Sequence, residues 1–194
     1  MHGTRDSDGE YAEEDVDHDA EDDPTKPVLG YWDIRGAAQQ IRFLLTYLQV
    51  DFRDKRYKQG DAPDYSIIEW TNQKYTLGLD FPNLPFYIDE DVKLTETLAI
   101  MNYISLKYKP ASMLGKTDKD RATVSMLSYV LMELGACATK PCYQDMSSRE
   151  EIGDKMLANI EPIIKHMEKT GSKFLVGNTV TFVDFMLFEL CERI

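Results

Sequence analysis

Apolar and polar positions follow two rhythms along this chain, and the change of rhythm divides it near residue 110. Between 27 and 109 the apolar runs are short. Residues 27–32, Pro27-Val28-Leu29-Gly30-Tyr31-Trp32, read as a short buried strand. After Gly36, apolar residues recur at Ile41, Leu44, Leu45 and Leu48, the spacing of one buried helix face. A polar, alternating strand follows over 52–57, then a loop at 60–64 and a short helix over 66–74 carrying Trp70. Phe86-Tyr87-Ile88 and Val92-Lys93-Leu94 flank a tight acidic turn, which predicts an antiparallel hairpin. Thr95 stands before a helix predicted over 96–108.

Lys109-Pro110-Ala111-Ser112 breaks this pattern, and the remainder reads as helical. One long helix is predicted from 118 to about 139. Ser148 and Glu151 have capping-box spacing for a second, which runs to Lys169, contains Pro162 as an expected kink and stops at Gly171. Thr181-Phe182-Val183-Asp184 is another capping box, with Asp in place of the usual Glu or Gln, for a helix running to the last residue. The β-α-β order of the first part admits a parallel pair with an antiparallel hairpin at its edge. The prediction is an α/β domain over 27–109 and an all-helical domain over 110–194.

Charge adds a third segment. Residues 1–26 hold eleven acidic residues against Arg5 and Lys26, most of the chain's net charge of −12. So acidic and apolar-poor a stretch buries too little surface to offset its ordering entropy, and a solvated, disordered tail is expected. Its run Asp15-Val16-Asp17-His18-Asp19 fails as a calcium loop, because Ala20 and Lys26 occupy the positions that need Gly and Glu. Net acidity argues against nucleic acid as partner. No apolar run reaches membrane-spanning length, and no secretory signal opens the sequence. Three cysteines, Cys137, Cys142 and Cys191, make no disulfide framework, so a reducing cytoplasmic setting is expected. His166 is the one histidine outside the tail, which disfavours a Ser-His-Asp triad or a histidine-rich metal site.

Three motifs carry chemistry: Gly30-Tyr31-Trp32-Asp33-Ile34-Arg35-Gly36, Gly60-Asp61-Ala62-Pro63-Asp64-Tyr65, and Leu77-Gly78-Leu79-Asp80-Phe81-Pro82-Asn83-Leu84-Pro85. In the last, a proline stands at a strand entrance, where it can hold backbone groups out toward a ligand. In this order and spacing, with Thr181-Phe182-Val183-Asp184-Phe185 near the end, the chain resembles a cytosolic, mu-class glutathione S-transferase. The resemblance implies a thioredoxin-like N-terminal domain, an all-α C-terminal domain, a homodimer, glutathione as cosubstrate and a small hydrophobic electrophile, with no other cofactor and no metal.

The resemblance also assigns residues. Tyr31, at the C-terminal end of the first strand where open sheets bind ligands, would donate a hydrogen bond to the bound thiolate. Trp32, Trp70 and Lys74 would hold the glycine carboxylate, two indole N–H donors and an ammonium being suited to it. Asn83 and Leu84 would grip the tripeptide backbone, with the Leu84–Pro85 bond cis. Glu96 and Thr97 would take the γ-glutamyl end at a helix N-terminus. Ile34 and Tyr143 are expected in the electrophile pocket, and Phe81 in the dimer contact. Tyr129 and Met132 are read as core residues in preference to pocket residues.

Two departures stand out. Ile67 occupies a position that is usually basic in the family. The chain also stops within the apolar helix of 182–194, where family members continue, so either a partial chain or a shortened relative is expected. Glutathione conjugation is the leading reading. A non-catalytic transferase-like binding or oligomerisation module is the alternative, and a glutathione-dependent isomerase a third.

Overall fold

The computed structural model describes residues 23, 25–139 and 149–192. Most of the acidic tail, Ser148 of the expected capping box, and Tyr143 therefore lie outside the described residues. Among the described residues, four strands and seven helices follow in order. They are β1 (Val28–Trp32), α1 (Gln39–Tyr47, after a 3₁₀ turn at Gly36–Ala38), β2 (Arg53–Tyr57), α2 (Ile68–Gln73), β3 (Phe86–Ile88), β4 (Lys93–Thr95), α3 (Thr97–Tyr108), α4 (Pro110–Met113), α5 (Asp118–Thr139), α6 (Arg149–Thr170) and α7 (Phe182–Cys191). The sheet order is β2-β1-β3-β4, with β1 parallel to β2 and the other two pairs antiparallel.

Several boundaries shift by a residue. The second hairpin strand begins at Lys93 and ends at Thr95, which pairs with Phe86. Helix α3 begins at Thr97 because Glu96 has φ of +71°, a left-handed backbone that no helix can include. Pro162 sits inside α6, which runs on to Thr170 before Gly171 takes a φ of +58°.

Strand alternation explains how the sheet serves two layers. Leu29 and Tyr87 face the main core with Ile41, Leu44 and Leu45 of α1 and Ile100 and Ile104 of α3. That core continues without a break into Leu127 and Leu131 of α5 and Val183, Met186 and Leu190 of α7, so sheet and helical bundle share one apolar interior. The opposite face of the sheet holds a smaller cluster of Tyr57, Trp70, Leu79 and Phe86. Tyr31 packs against the first cluster and its neighbour Trp32 against the second.

Two polar fasteners hold the ends. Tyr103 and Lys107 of α3 bind Asp89 in the β3–β4 turn at 2.9 and 3.0 Å. Burial raises the Asp89 carboxyl, but Lys107, the N–H groups of Asp91 and Val92, and Tyr103 together hold it below the ordinary range. At the start of α7, the Asp184 carboxylate accepts hydrogen bonds from the Thr181 N–H (2.8 Å), the Thr181 hydroxyl (2.8 Å) and the Leu175 N–H (2.9 Å). The predicted capping box is thus present, and it also ties down the preceding loop. Asp184→Ala is expected to lower unfolding stability by about 3 kcal/mol, since hydrogen bonds to a charged acceptor are the strong ones. A denaturant midpoint equal to wild type would show the box to be ornamental.

Candidate active site

Tyr31 reaches the cleft because β1 ends there and its alternation sends the ring toward the helical layer. The ring borders a cavity of about 200 Å³ between α1, α5 and α7, lined by Ala37, Gln40, Leu131, Met132 and Met186 among others. The Tyr31 phenol has no hydrogen-bond partner among the described residues, although it stands beside an apolar void. Gly36 makes this placement possible. Its φ is +42°, and a Cβ there would lie 2.5 Å from the tyrosine ring and 2.7 Å from the hydroxyl oxygen.

The loop that follows Tyr31 is fixed by charge. The buried Arg42 of α1 donates to the Ile34 carbonyl at 2.9 Å and to both Asp54 carboxylate oxygens at 3.0 and 3.1 Å. Asp54 is shared with Arg56, which also binds Asp33 at 3.0 Å. Arg35 reaches across to Glu189 of α7, donating at 2.6 and 3.3 Å. This pair bolts the loop to the helical layer directly beside Tyr31.

On the other face of the sheet, Trp70 stacks on Phe86 with centroids 6.0 Å apart and meets Tyr57 edge-on at 5.3 Å. Trp32 also meets Tyr57 edge-on at 6.5 Å, which brings the two predicted indoles around one phenol. Burial, then Glu69, pushes the Tyr57 hydroxyl up to about 12, so it stays protonated and donates to Gln73 at 3.1 Å. Lys74 lies one turn after Trp70, with its N–H on the Trp70 carbonyl at 2.8 Å. Its ammonium stands 5.4 Å from the Tyr75 ring and pairs with no carboxylate among the described residues. A cation without a carboxylate partner among the described residues is suited to an incoming carboxylate.

A third set converges at the start of α3. The Asn83 amide donates to the Glu96 carboxylate at 3.2 Å, and the Leu84–Pro85 bond is cis, as is Ala62–Pro63. Thr97 is buried, and its hydroxyl donates to the Ala37 carbonyl at 3.1 Å, which links α3 to the wall of the cavity. No side chain caps α3, so its first-turn N–H groups remain open to an anion.

Other expected residues stand apart. Ile34 is 45% exposed and does not line the cavity, and Ile67 is an exposed apolar residue. Phe81 is 80% exposed on its loop. Met132 does border the cavity, whereas Tyr129, read as core, is 68% exposed. The physical reason is that Met126, Tyr129 and Val130 form an apolar stripe on the outer side of α5, with a helical period no different from that of a core face. Gln40 and Glu189 were not foreseen. The available signal was a polar residue at a core-facing position in each helix, one step before Ile41 and between Met186 and Leu190.

Comparison with known proteins finds relatives over most of the chain. A profile described as the glutathione S-transferase N-terminal domain matches residues 27–105, and one described as the C-terminal domain matches 138–194. A glutathione S-transferase of Dermatophagoides pteronyssinus is 44% identical over 171 residues, which cover 87% of this chain and 76% of that protein. Glutathione S-transferase 2 of Gallus gallus is 40% identical over 85% of this chain and 74% of its own length. Glutathione S-transferase Mu 4 of Homo sapiens is 37% identical over 84% and 74%. The crystal structure of the glutathione S-transferase Blo t 8 superposes with a TM-score of 0.75 at 28% identity, over 85% of this chain and 75% of that one. The chain spans about three quarters of the length of these relatives, and it belongs to the glutathione S-transferase family, with mu-class members among its relatives.

Proposed function

We propose that the protein transfers the glutathione thiolate to hydrophobic electrophiles, with Tyr31 as the group that stabilises the sulfur. The observation that carries this reading is the Tyr31 phenol, without a hydrogen-bond partner among the described residues, at the end of β1 and facing an apolar cavity. A free thiol titrates near ~8.5 and is mostly protonated at neutral pH. A fixed O–H donor aimed at the sulfur favours the anion, as an oxyanion donor does. The thiol proton passes to solvent, and the sulfur lone pair forms a C–S bond. With an aromatic halide the electrons leave on halide. With an activated alkene they end on carbon, which takes a proton from water.

In this reading Trp32, Trp70 and Lys74 hold the glycine carboxylate. The Leu84 main chain pairs with the cysteinyl unit beside Asn83. Glu96 binds the ammonium of the γ-glutamyl residue, while the backbone N–H of Thr97 and its neighbours at the α3 N-terminus receive its carboxylate. Such a reaction needs glutathione as cosubstrate and no metal or further cofactor. Use of glutathione suits the reducing cytoplasm, and no helix of the described residues is long and apolar enough to cross a membrane. Retention on immobilised glutathione together with conjugation of an aromatic halide tests the proposal. Retention without conjugation would instead mark a binding module.

A homodimer is part of the same reading. Phe81 and the stripe of Met126, Tyr129 and Val130 are large apolar side chains left exposed on the described surface. Phe81→Ser is expected to shift the protein from dimer to monomer in sedimentation velocity at micromolar concentration. Unchanged sedimentation would remove Phe81 from the contact.

A further inference from the structure

The cavity beside Tyr31 is not uniformly apolar. Ala37, Leu131, Met132, Met186 and Leu190 supply most of its wall. Glu189 also borders it, but both of its carboxylate oxygens accept from Arg35. Gln40 is different. It is 8% exposed, it lines the cavity, and its amide has no hydrogen-bond partner among the described residues. Its position on the first turn of α1 is set by Ile41, Leu44 and Leu45, which bury the adjoining face of that helix. The residue is largely enclosed, yet its amide is not among the fully buried polar atoms, so an occupant that displaces water from it must hydrogen-bond in water's place.

Volume narrows the occupant. An apolar cavity of about 150 Å³ binds benzene, so the roughly 200 Å³ here takes a singly substituted phenyl ring. We propose that Gln40 is a specificity-determining residue of the electrophile site, selecting aryl electrophiles that carry a hydrogen-bonding ring substituent over their hydrocarbon counterparts. The inference rests on the transferase reading, because Tyr31 and the sulfur it faces define the mouth of the cavity. The reacting carbon lies at that mouth and the ring substituent points inward to the amide. The amide both donates and accepts, so hydroxyl, carbonyl and nitro groups all qualify. A purely apolar cavity would rank them the other way, preferring methyl to hydroxyl.

Calorimetric binding of two glutathione S-conjugates, S-(4-hydroxybenzyl)glutathione and S-(4-methylbenzyl)glutathione, tests this without requiring turnover. The full chain should bind the hydroxyl compound about tenfold more tightly than the methyl compound, the scale of one hydrogen bond made or left unmade. Gln40→Met keeps side-chain length and removes the amide, and it should abolish or invert that preference while leaving the affinity for glutathione itself unchanged. Within the unaltered protein, a methyl preference overturns the proposal whatever the variant does. An equal ratio in the unaltered protein and Gln40→Met also overturns it. Glutathione failing to bind at all overturns the transferase reading and this inference with it, whereas glutathione binding with an indifferent ratio removes this inference alone.

Discussion

Tyr31→Phe should lower the turnover of glutathione with an aromatic halide about 100-fold and leave the dissociation constant for glutathione within about threefold. The size follows from what is removed. One fixed donor to a developing or resident anion is worth roughly 10²–10³ in rate. The ring itself stays, since it packs against the main core. In the proposed reading, tripeptide affinity comes from groups on other elements, Trp70 in α2 and Lys74 just after it, and Asn83 and Glu96 at the α3 entrance. A defect confined to kcat therefore separates stabilisation of the thiolate from binding of the peptide. A variant that loses binding in the same proportion would mean that the phenol serves as an anchor.

Gly30→Ala is the second large effect, and it should act on both stability and binding. Gly30 and Phe86 are register partners in the antiparallel β1–β3 pair, and the Phe86 ring occupies the place where a side chain on residue 30 would stand. Phe86 is buried and stacked on Trp70, with Tyr57 at 6.3 Å. An added methyl cannot be absorbed by a flexible chain end, so the ring must shift and carry Trp70 with it. Overpacking of this kind costs typically 1–3 kcal/mol, and about 3 kcal/mol is expected here because the displaced ring is fully enclosed. Glutathione affinity should fall about tenfold as the indole leaves its position. Urea unfolding and calorimetry measure the two effects. Unchanged affinity in a folded variant would detach Trp70 from the carboxylate site.

Much of this arrangement was legible because it depends on local spacing. Alternation in β1 sends Tyr31 and Trp32 to opposite faces, Trp70 and Lys74 are one helical turn apart, and Thr181 with Asp184 spells its own cap. The order of apolar runs likewise yields the mixed sheet and its following helices. What the chain concealed depends on contacts between distant segments. The Arg35–Glu189 pair spans 154 positions, and Gln40 meets the α5 wall only in the folded molecule. Tyr129 was misread for a related reason: periodicity marks one side of a helix as apolar but does not say whether the core lies there or outside. Glu96 closes the list, since a left-handed residue at a helix entrance is a choice of backbone that an acidic residue favoured near a helix start gives no sign of.

The central claim concerns the protonation of a bound sulfur, and ultraviolet absorbance of the thiolate reads it directly. Titrating the complex of glutathione with the unaltered chain should show the thiol ionising more than one unit below its ordinary value near ~8.5, with the Tyr31→Phe complex returning close to that value. A bound thiol that ionises at its ordinary pH in the unaltered protein would contradict the account.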